Sequence, residues 1–252
     1  MLGQRDRLRW QAGESLRGQD TVVAETTFGL VLDGVELLRA VVSPAQLAEW
    51  GAGYAICEGL LPKGEIAGVK VEEGSVHISS RGGVGDGWAK RACPLVQRSS
   101  GYLGRPAEDG LPPLVSGLRV SPRQIEAWAR ALSEEAPGWR QTGGLHVALL
   151  YGERGELVSV CEDIGRHNAL DKAIGAAHLG GVDLSRCAVV ISGRMPQGMV
   201  VKVVRAGVPV AITKAASTDM GIDIARKYHL TLICFARPGR FTVYSGEDRI
   251  LL

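Results

Sequence analysis

The sequence is poor in aromatic residues, poor in cysteine and free of long apolar runs. Phe, Trp and Tyr make up 5% of its 252 residues, which argues against base-stacking surfaces. Its five cysteines, Cys57, Cys93, Cys161, Cys187 and Cys234, are odd in number, widely spaced and form no CxxC. That pattern speaks against a disulfide framework and shows no metal-ligand pair, and it fits reduced thiols in the cytosol. No segment approaches the ~20 apolar residues of a membrane helix. The N-terminal "MLGQRDRLRWQAGESLRGQD" lacks the apolar core of a signal peptide. A soluble, cytoplasmic protein is expected. There is also no large charge of one sign. The 29 Lys and Arg against 27 Asp and Glu leave a formal net charge of +2, so nothing in the bulk electrostatics calls for a nucleic acid or a membrane as partner. The GxGxxG and GxxxxGK[ST] phosphate loops, the GxSxG nucleophile elbow and the HxE…PCxxC zinc-deaminase pattern are all missing.

What remains is an ordinary globular composition, 45% hydrophobic and 22% charged, long enough for one large domain or two smaller ones. Residues 1–20 read as a loose polar arm. "TVVAETTFGLVLDGVEL" alternates around Asp33-Gly34, a hairpin signal. "SPAQLAEWGAGYAICEGLL" predicts a helix capped by Ser43 with Pro44 at its first position, and "GVKVEEGSVHIS" a hairpin turning at Glu73-Gly74. Residues 81–117 are rich in Gly and Pro and lack periodicity. These lines delimit an α+β region over 21–117 and an α/β domain over 118–252.

The second part has a different grammar. "SPRQIEAWARALSEEA" is a helix with Ser121 as cap. "LHVALLYG" and "GELVSVCE" form an apolar hairpin. "RCAVVISG", "GVPVAITK" and "LTLICFAR" are short β-branched runs separated by the helical "PQGMVVKVVRA" and "STDMGIDIARKYH". Strands alternating with helices predict parallel pairing, with the apolar strands covered on both faces.

Ligands of open parallel sheets bind off the carboxyl ends of the strands. The predicted exits are "CEDIGRHN", "SGRMPQG", "KAAST" and "ARPGR". They supply Arg166, His167, Arg194, Lys214, Arg237 and Arg240, and helices begin just after three of them. Guanidinium forks and helix starts suit phosphate oxygens, so a phosphorylated ligand is expected. Each of these side chains could equally be a solvated loop residue. His167 is a candidate ligand contact or a bridge within the turn, and Asp163 or Asn168 could cap the following helix. Asp171 suits that helix's first turn and Lys172 does not, which hints at a role for Lys172 outside it. His146, at the start of an apolar strand, reads as a core histidine; Lys202, in an apolar helix, either snorkels or points into the site.

"EDIGRHNALDKAIG", with "GGLHVALL" before it and "SGRMPQGMVVKVVRAGVP", "AAST" and "LTLICFARPGRFTVY" after it, resembles the FdhD family of formate dehydrogenase accessory sulfurtransferases over roughly residues 20–250. The resemblance implies a cytidine-deaminase-like α/β fold without the zinc site, and a homodimer. It implies binding of the molybdenum cofactor in its bis(guanine dinucleotide) form, for which GDP is a fragment mimic. It further implies passage of sulfur from a cysteine desulfurase to that cofactor before formate dehydrogenase or a related molybdoenzyme receives it. The cofactor-binding positions that the resemblance implies are Phe235, Ala236, Arg237, Pro238, Gly239 and Arg240; the strand exits and the quoted stretches add Glu162, Asp163, Arg166, His167, Asn168, Asp171, Lys172, Ser192, Gly193, Arg194, Lys202, Lys214 and His146 as candidates for the same site.

One motif departs from the family. Where the family has a CGxCG loop, this chain reads "SSGYLGR": Ser100 and Leu103 stand in place of the two cysteines, while Gly101 and Gly104 keep the frame. A serine hydroxyl cannot carry a persulfide and is a far weaker nucleophile than a thiolate. Three functions therefore compete: cofactor handling with sulfur transfer lost or rerouted; a sulfurtransferase using Cys93 or Cys161; and a regulatory partner of a molybdoenzyme that handles no cofactor.

Overall fold

The computed structural model describes residues 2–83, 97–98 and 110–252. Ser100, Leu103 and Cys93 lie outside the described residues.

The first twenty residues are a regular two-stranded hairpin rather than a loose arm. Strand β1 (Leu2–Gln11) pairs antiparallel with β2 (Glu14–Val23) around Ala12-Gly13. Polar and charged side chains fill most of both strands, which made the segment read as unstructured. Strands β3 (Thr26–Leu32) and β4 (Val35–Val42) follow, joined through Asp33 and Gly34 at φ 46° and 83°. Two successive positive φ values match the right-handed twist of a hairpin and explain the Asp-Gly pair.

Helix α1 (Leu47–Cys57) starts three residues later than Ser43 suggests, with Gln46 at its N-cap position and no side-chain cap bond. Ser43 is wholly buried and bonded elsewhere, as described below. Strands β5 (Ile66–Glu72) and β6 (Ser75–Ser80) form the expected hairpin, and β7 (Gln97–Arg98) pairs parallel with β4. Together they make a five-stranded sheet in the order β5-β6-β3-β4-β7.

Helix α2 (Pro122–Glu134) begins with a reciprocal capping box: Ser121 Oγ accepts from the Gln124 amide and the Gln124 side chain accepts from the Ser121 amide. Then come α3 (Pro137–Thr142), β8 (His146–Gly152), β9 (Leu157–Asp163), α4 (Arg166–Leu179), β10 (Cys187–Ile191), α5 (Gln197–Ala206), β11 (Val210–Thr213), α6 (Asp219–Lys227), β12 (Thr231–Arg237) and β13 (Arg240–Ser245). The second sheet has the order β13-β12-β11-β10-β8-β9. β10, β11 and β12 are parallel; β8 and β13 run against their neighbours; β9 is antiparallel to β8 and so runs with β10. The mixed α/β architecture expected from the sequence is therefore present.

Alternate faces of this sheet have different partners. Val147, Leu149, Val190 and Ile212 pack with Ile125, Trp128 and Leu132 of α2. Leu150, Val189, Ala211 and Leu232 face α4, α5 and α6, in an apolar cluster that continues through α1 to Leu30, Leu38, Val76 and Ile78 of the five-stranded sheet. α1 and α4 form the junction. They cross at Gly53 and Gly175, where a Cβ on either would lie 1.7 Å or 1.8 Å from a carbonyl oxygen of the other helix. Only glycine permits such backbone contact. Among the described residues no helix is long and apolar enough to span a membrane.

Candidate functional site: the carboxyl edge of the six-stranded sheet

Because β9, β10, β11 and β12 run the same way, their carboxyl ends share one sheet edge, where antiparallel β8 and β13 begin. That edge collects Arg166 just past β9, Ser192, Gly193 and Arg194 past β10, Lys214 past β11, Arg237 and Arg240 at the β12–β13 turn, and His146 at the start of β8. The exits are laced together. Thr213 Oγ1 donates to Gly193 O at 2.7 Å and accepts from the Ala215 amide at 3.0 Å, and the Phe235 amide donates to Ala215 O at 3.1 Å. Gly193 lets the Arg166 side chain cross the end of β10: a Cβ there would sit 3.0 Å from Arg166 Cβ and 3.3 Å from His146 Nδ1.

The electrostatics follow from this gathering of cations. Burial and the neighbouring Arg194 lower the Arg166 pKa. Burial and Arg166 lower that of half-buried His146, whose Nδ1 lies 3.3 Å from Ser192 Oγ. Ser192 Oγ also accepts from the Val147 amide at 2.9 Å. Burial lowers the Lys214 pKa; Glu134 opposes that shift and Arg237 adds to it. Mutual repulsion of this kind is relieved by an anion. At the far end, Phe235 takes a left-handed φ of 55° at a register shift between Cys234 and Arg237, and the residue is 38% exposed. Local backbone strain of this kind clusters where ligands are held. Ala236 points into the core, while Pro238 and Gly239 form the exposed turn. Ala236 therefore offers at most its backbone.

The "EDIGRHNALDK" stretch is different from the expectation. Glu162, Asp163, His167, Asn168, Asp171 and Lys172 are buried, and protein groups bond the side chains of Glu162, Asp163, Asn168, Asp171 and Lys172. Glu162 accepts the Gly138 and Trp139 amides at 3.0 and 2.6 Å. Asp163 fills both oxygens: Oδ2 accepts from the Ser43 amide at 3.0 Å and pairs with Lys172 Nζ at 2.7 Å, while Oδ1 accepts from the Gly165 amide and Asn168 Nδ2, each at 2.9 Å. Asn168 Nδ2 also donates to Val41 O. Lys172 adds bonds to Ser43 O and Glu162 O. Neither Asp163 nor Asn168 occupies the N-cap position, which is Gly165.

A second buried group lies between helices α1, α4 and α5. Lys202 Nζ contacts Asp171 at 2.6 Å and Glu58 at 3.0 Å, and sits 5.0 Å from the Tyr54 ring centre. Burial pushes the Asp171 carboxyl up to about 6 against the pull of Lys202. Burial opposes the Lys202 charge, yet Asp171 and Glu58 more than offset it and raise its pKa. Lys202 thus neither snorkels nor points into the site. Glu162, Asp163, Asn168, Asp171, Lys172 and Lys202 are held inside the molecule by protein partners, and Asp163 fixes the Gly165 amide beside Arg166. Sequence reasoning missed Ser43 and Glu58 as parts of this network, because their partners lie more than a hundred residues away.

Cys161 does not face the rim. It is fully buried against Ala148, Ala169 and Ala173, and burial pushes its thiol up to about 12. Cys57, Cys187 and Cys234 are buried too, as their apolar surroundings suggest.

A cavity of about 400 Å³ opens beside the edge, between α2, α3 and the sheet, with Leu132, Trp139, Leu145, His146, Ser192 and Lys214 among its lining. No pattern in the sequence pointed to Trp139.

The fold and this edge define an α/β protein whose strand exits gather cationic side chains along one side of its six-stranded sheet. The FdhD/NarQ family model matches residues 23–251, and the chain belongs to that family. It is 35% identical over 240 residues to the sulfur carrier protein FdhD of Methanothermobacter thermautotrophicus, with 94% of each chain covered. It is 32% identical to the protein of the same name from Streptomyces avermitilis, covering 92% of this chain and 90% of that one. A crystal structure of a Desulfotalea psychrophila protein, described as a formate dehydrogenase accessory protein, superposes with a TM-score of 0.81 over 99% of both chains at 24% identity. That likeness establishes the shared fold.

Proposed function

We propose that this protein is a maturation factor for formate dehydrogenase or a related molybdoenzyme, and that it binds the bis(guanine dinucleotide) molybdenum cofactor as cargo through its GDP portions. The observation that carries the reading is the single sheet edge holding His146, Arg166, Arg194, Lys214, Arg237 and Arg240. Six strands at about 4.8 Å spacing make that edge roughly 24 Å wide, which suits an extended diphosphate ligand better than a lone phosphate. Guanidinium groups supply bidentate contacts to phosphate oxygens, and His146, kept neutral by burial and Arg166, supplies a polar contact without adding charge.

The relatives' name, sulfur carrier protein, extends to this chain as a role in sulfuration of the cargo. With Ser100 and Leu103 at the family's thiol positions, this protein delivers or protects the cofactor and does not carry the persulfide on that loop. A cysteine desulfurase and a second copy of the chain belong to the same proposal as partners. The alternative is a persulfide on Cys93. It is favoured over Cys161, because a thiol pushed to about 12 forms almost no thiolate at neutral pH.

One preparation tests both. GDP binding is measured by calorimetry, with Arg237→Ala expected to weaken it at least tenfold. The same protein is then incubated with desulfurase and ³⁵S-cysteine. Absence of GDP binding overturns the cargo reading, and label on Cys93 replaces the rerouted pathway with direct carriage.

A further inference from the structure

We infer that Asp171 and Glu58 hold a single proton between them, and that this proton is a lock on the crossing of helices α1 and α4. The cofactor role proposed above does not use this group, and the inference stands or falls without it.

Two carboxylates meet one cation inside the molecule. Glu58 at the end of α1, Asp171 on α4 and Lys202 on α5 are all buried. Lys202 Nζ donates to Asp171 Oδ1 at 2.9 Å and Oδ2 at 2.6 Å, and forms an ion pair with Glu58 Oε1 at 3.0 Å. The other groups that face the pair bring no second positive charge to it. The Cys57 thiol of α1 hydrogen-bonds Asp171, and burial raises its pKa. Tyr54 presents its ring to Lys202. Burial, with Lys202 nearby, keeps His167 of α4 neutral. Lys172 of α4 pairs with Asp163, and Arg205 of α5 donates to Cys57 O at 3.4 Å. Among the described residues neither Glu58 oxygen accepts a hydrogen bond that would support its charge. With both acids ionised, one net negative charge would lie buried, and retaining a proton avoids that cost. The two acids therefore titrate as a pair and keep one proton past the pH at which exposed carboxyls have ionised. The push of burial on Asp171, up to about 6, agrees with this.

The position of the pair makes its proton a structural element. Asp171 O is the backbone atom that a Cβ on Gly53 would meet at 1.7 Å, so the charge arises at the closest contact between α1 and α4. Losing the proton sets an unmatched charge there and works against the crossing. The unfolded chain releases this proton near pH 3.8, the folded chain only near about 6. Between those values the folded chain holds more protons. Stability therefore falls as pH rises through that window, by up to about tenfold in the unfolding equilibrium per pH unit, and stays lower above it.

The full chain and its Glu58→Gln variant test the lock. Glutamine keeps the shape of Glu58 and removes the second negative charge, so no proton need be held. In urea unfolding across this pH range, the fall in stability between about pH 4 and 6 is expected in native protein and absent from Glu58→Gln, which should resist urea better than native protein at pH 7.5. The infrared difference spectrum, native minus variant at about pH 5.5, should contain the carbonyl band of a protonated carboxyl group. At pH 7.5 the α1 and α4 amides of the variant should exchange with deuterium about tenfold more slowly than in native protein. Stability curves that run parallel, a difference spectrum without that band, or amide exchange that is not slowed would each overturn the lock. If Glu58→Gln does not fold, the same measurements on Asp171→Asn decide it by the same criteria.

Discussion

The Ser43 amide donates to Asp163 Oδ2 at 3.0 Å across 120 positions of sequence, inside the protein. Around that bond the two parts of the chain are joined: Ser43 Oγ accepts from the Ile164 amide at 3.2 Å, and Lys172 reaches both Ser43 O and Asp163. The same aspartate holds the Gly165 amide, one residue before Arg166. The junction between the two sheets and the placement of Arg166 on the cationic edge are therefore one hydrogen-bonded unit.

Removing one member leaves a buried charge unmatched. Asp163→Ala strands the Lys172 ammonium, and a loss of about 3–5 kcal/mol of unfolding free energy is expected. Urea denaturation measures it. A loss under about 1 kcal/mol would mean that water reaches Lys172. Lys202→Met is expected to behave similarly, because it leaves Asp171 and Glu58 facing each other without a cation.

The helix crossing makes a sharper demand. At Gly53 an added methyl would lie 1.7 Å from Asp171 O, and at Gly175 1.8 Å from Glu49 O, both backbone atoms that cannot swing aside. Gly53→Ala and Gly175→Ala should each cost about 3 kcal/mol or more, beyond the usual range for an overpacked methyl. Exposed Gly64, with open space around its Cβ position, is the control and should tolerate alanine. Thermal unfolding of the three variants is the comparison.

His167 gives a pH dependence of known sign. Burial, then the charges of Lys202, Arg166 and His146, push its pKa down to about 3 from 6.5. The unfolded chain takes up a proton near pH 6.5 that the folded chain refuses until about pH 3. Between those values the unfolded state binds more protons, so stability falls as pH falls, with a slope of up to about 1.4 kcal/mol per pH unit from this residue. His167→Gln should flatten that part of the curve of unfolding free energy against pH. An unchanged slope would assign the dependence to other groups.

Thiol accessibility separates the sulfur hypotheses without any partner protein. Cys57, Cys161, Cys187 and Cys234 are buried, and burial raises the pKa of each. Brief treatment of the native protein with iodoacetamide at pH 7.5 should leave these four unmodified by peptide mass mapping, and all should react after unfolding. Modification of Cys161 in the native state would return it to candidacy as a sulfur carrier.

Much of the fold was legible because its signals are local. Asp33-Gly34 announces a hairpin, since two positive φ values suit those residues, and Ser121-Pro122 announces a helix start. The short apolar runs over 187–191, 210–213 and 231–237 could only be covered strands. Where local signals competed with distant partners, the reading failed. Ser43-Pro44 looks like a cap, but Asp163, Ile164 and Lys172 claim Ser43. The polar β1–β2 hairpin looked loose because its strands lack an apolar face, whereas cross-strand pairs such as Arg9 and Asp20 bind polar side chains to each other.

From the sequence alone one could determine which cations leave each strand, because strand ends are set by apolar runs and by the turn residues after them. Tertiary structure alone decided which polar residues stay available to a ligand. Arg166, Arg194 and Arg237 remain at the edge, while Asp163, Asp171, Lys172 and Lys202 are consumed inside. The reason is physical: a charged side chain can be buried only where counter-charges or hydrogen-bond partners meet it, and those partners come from segments whose meeting no local pattern specifies.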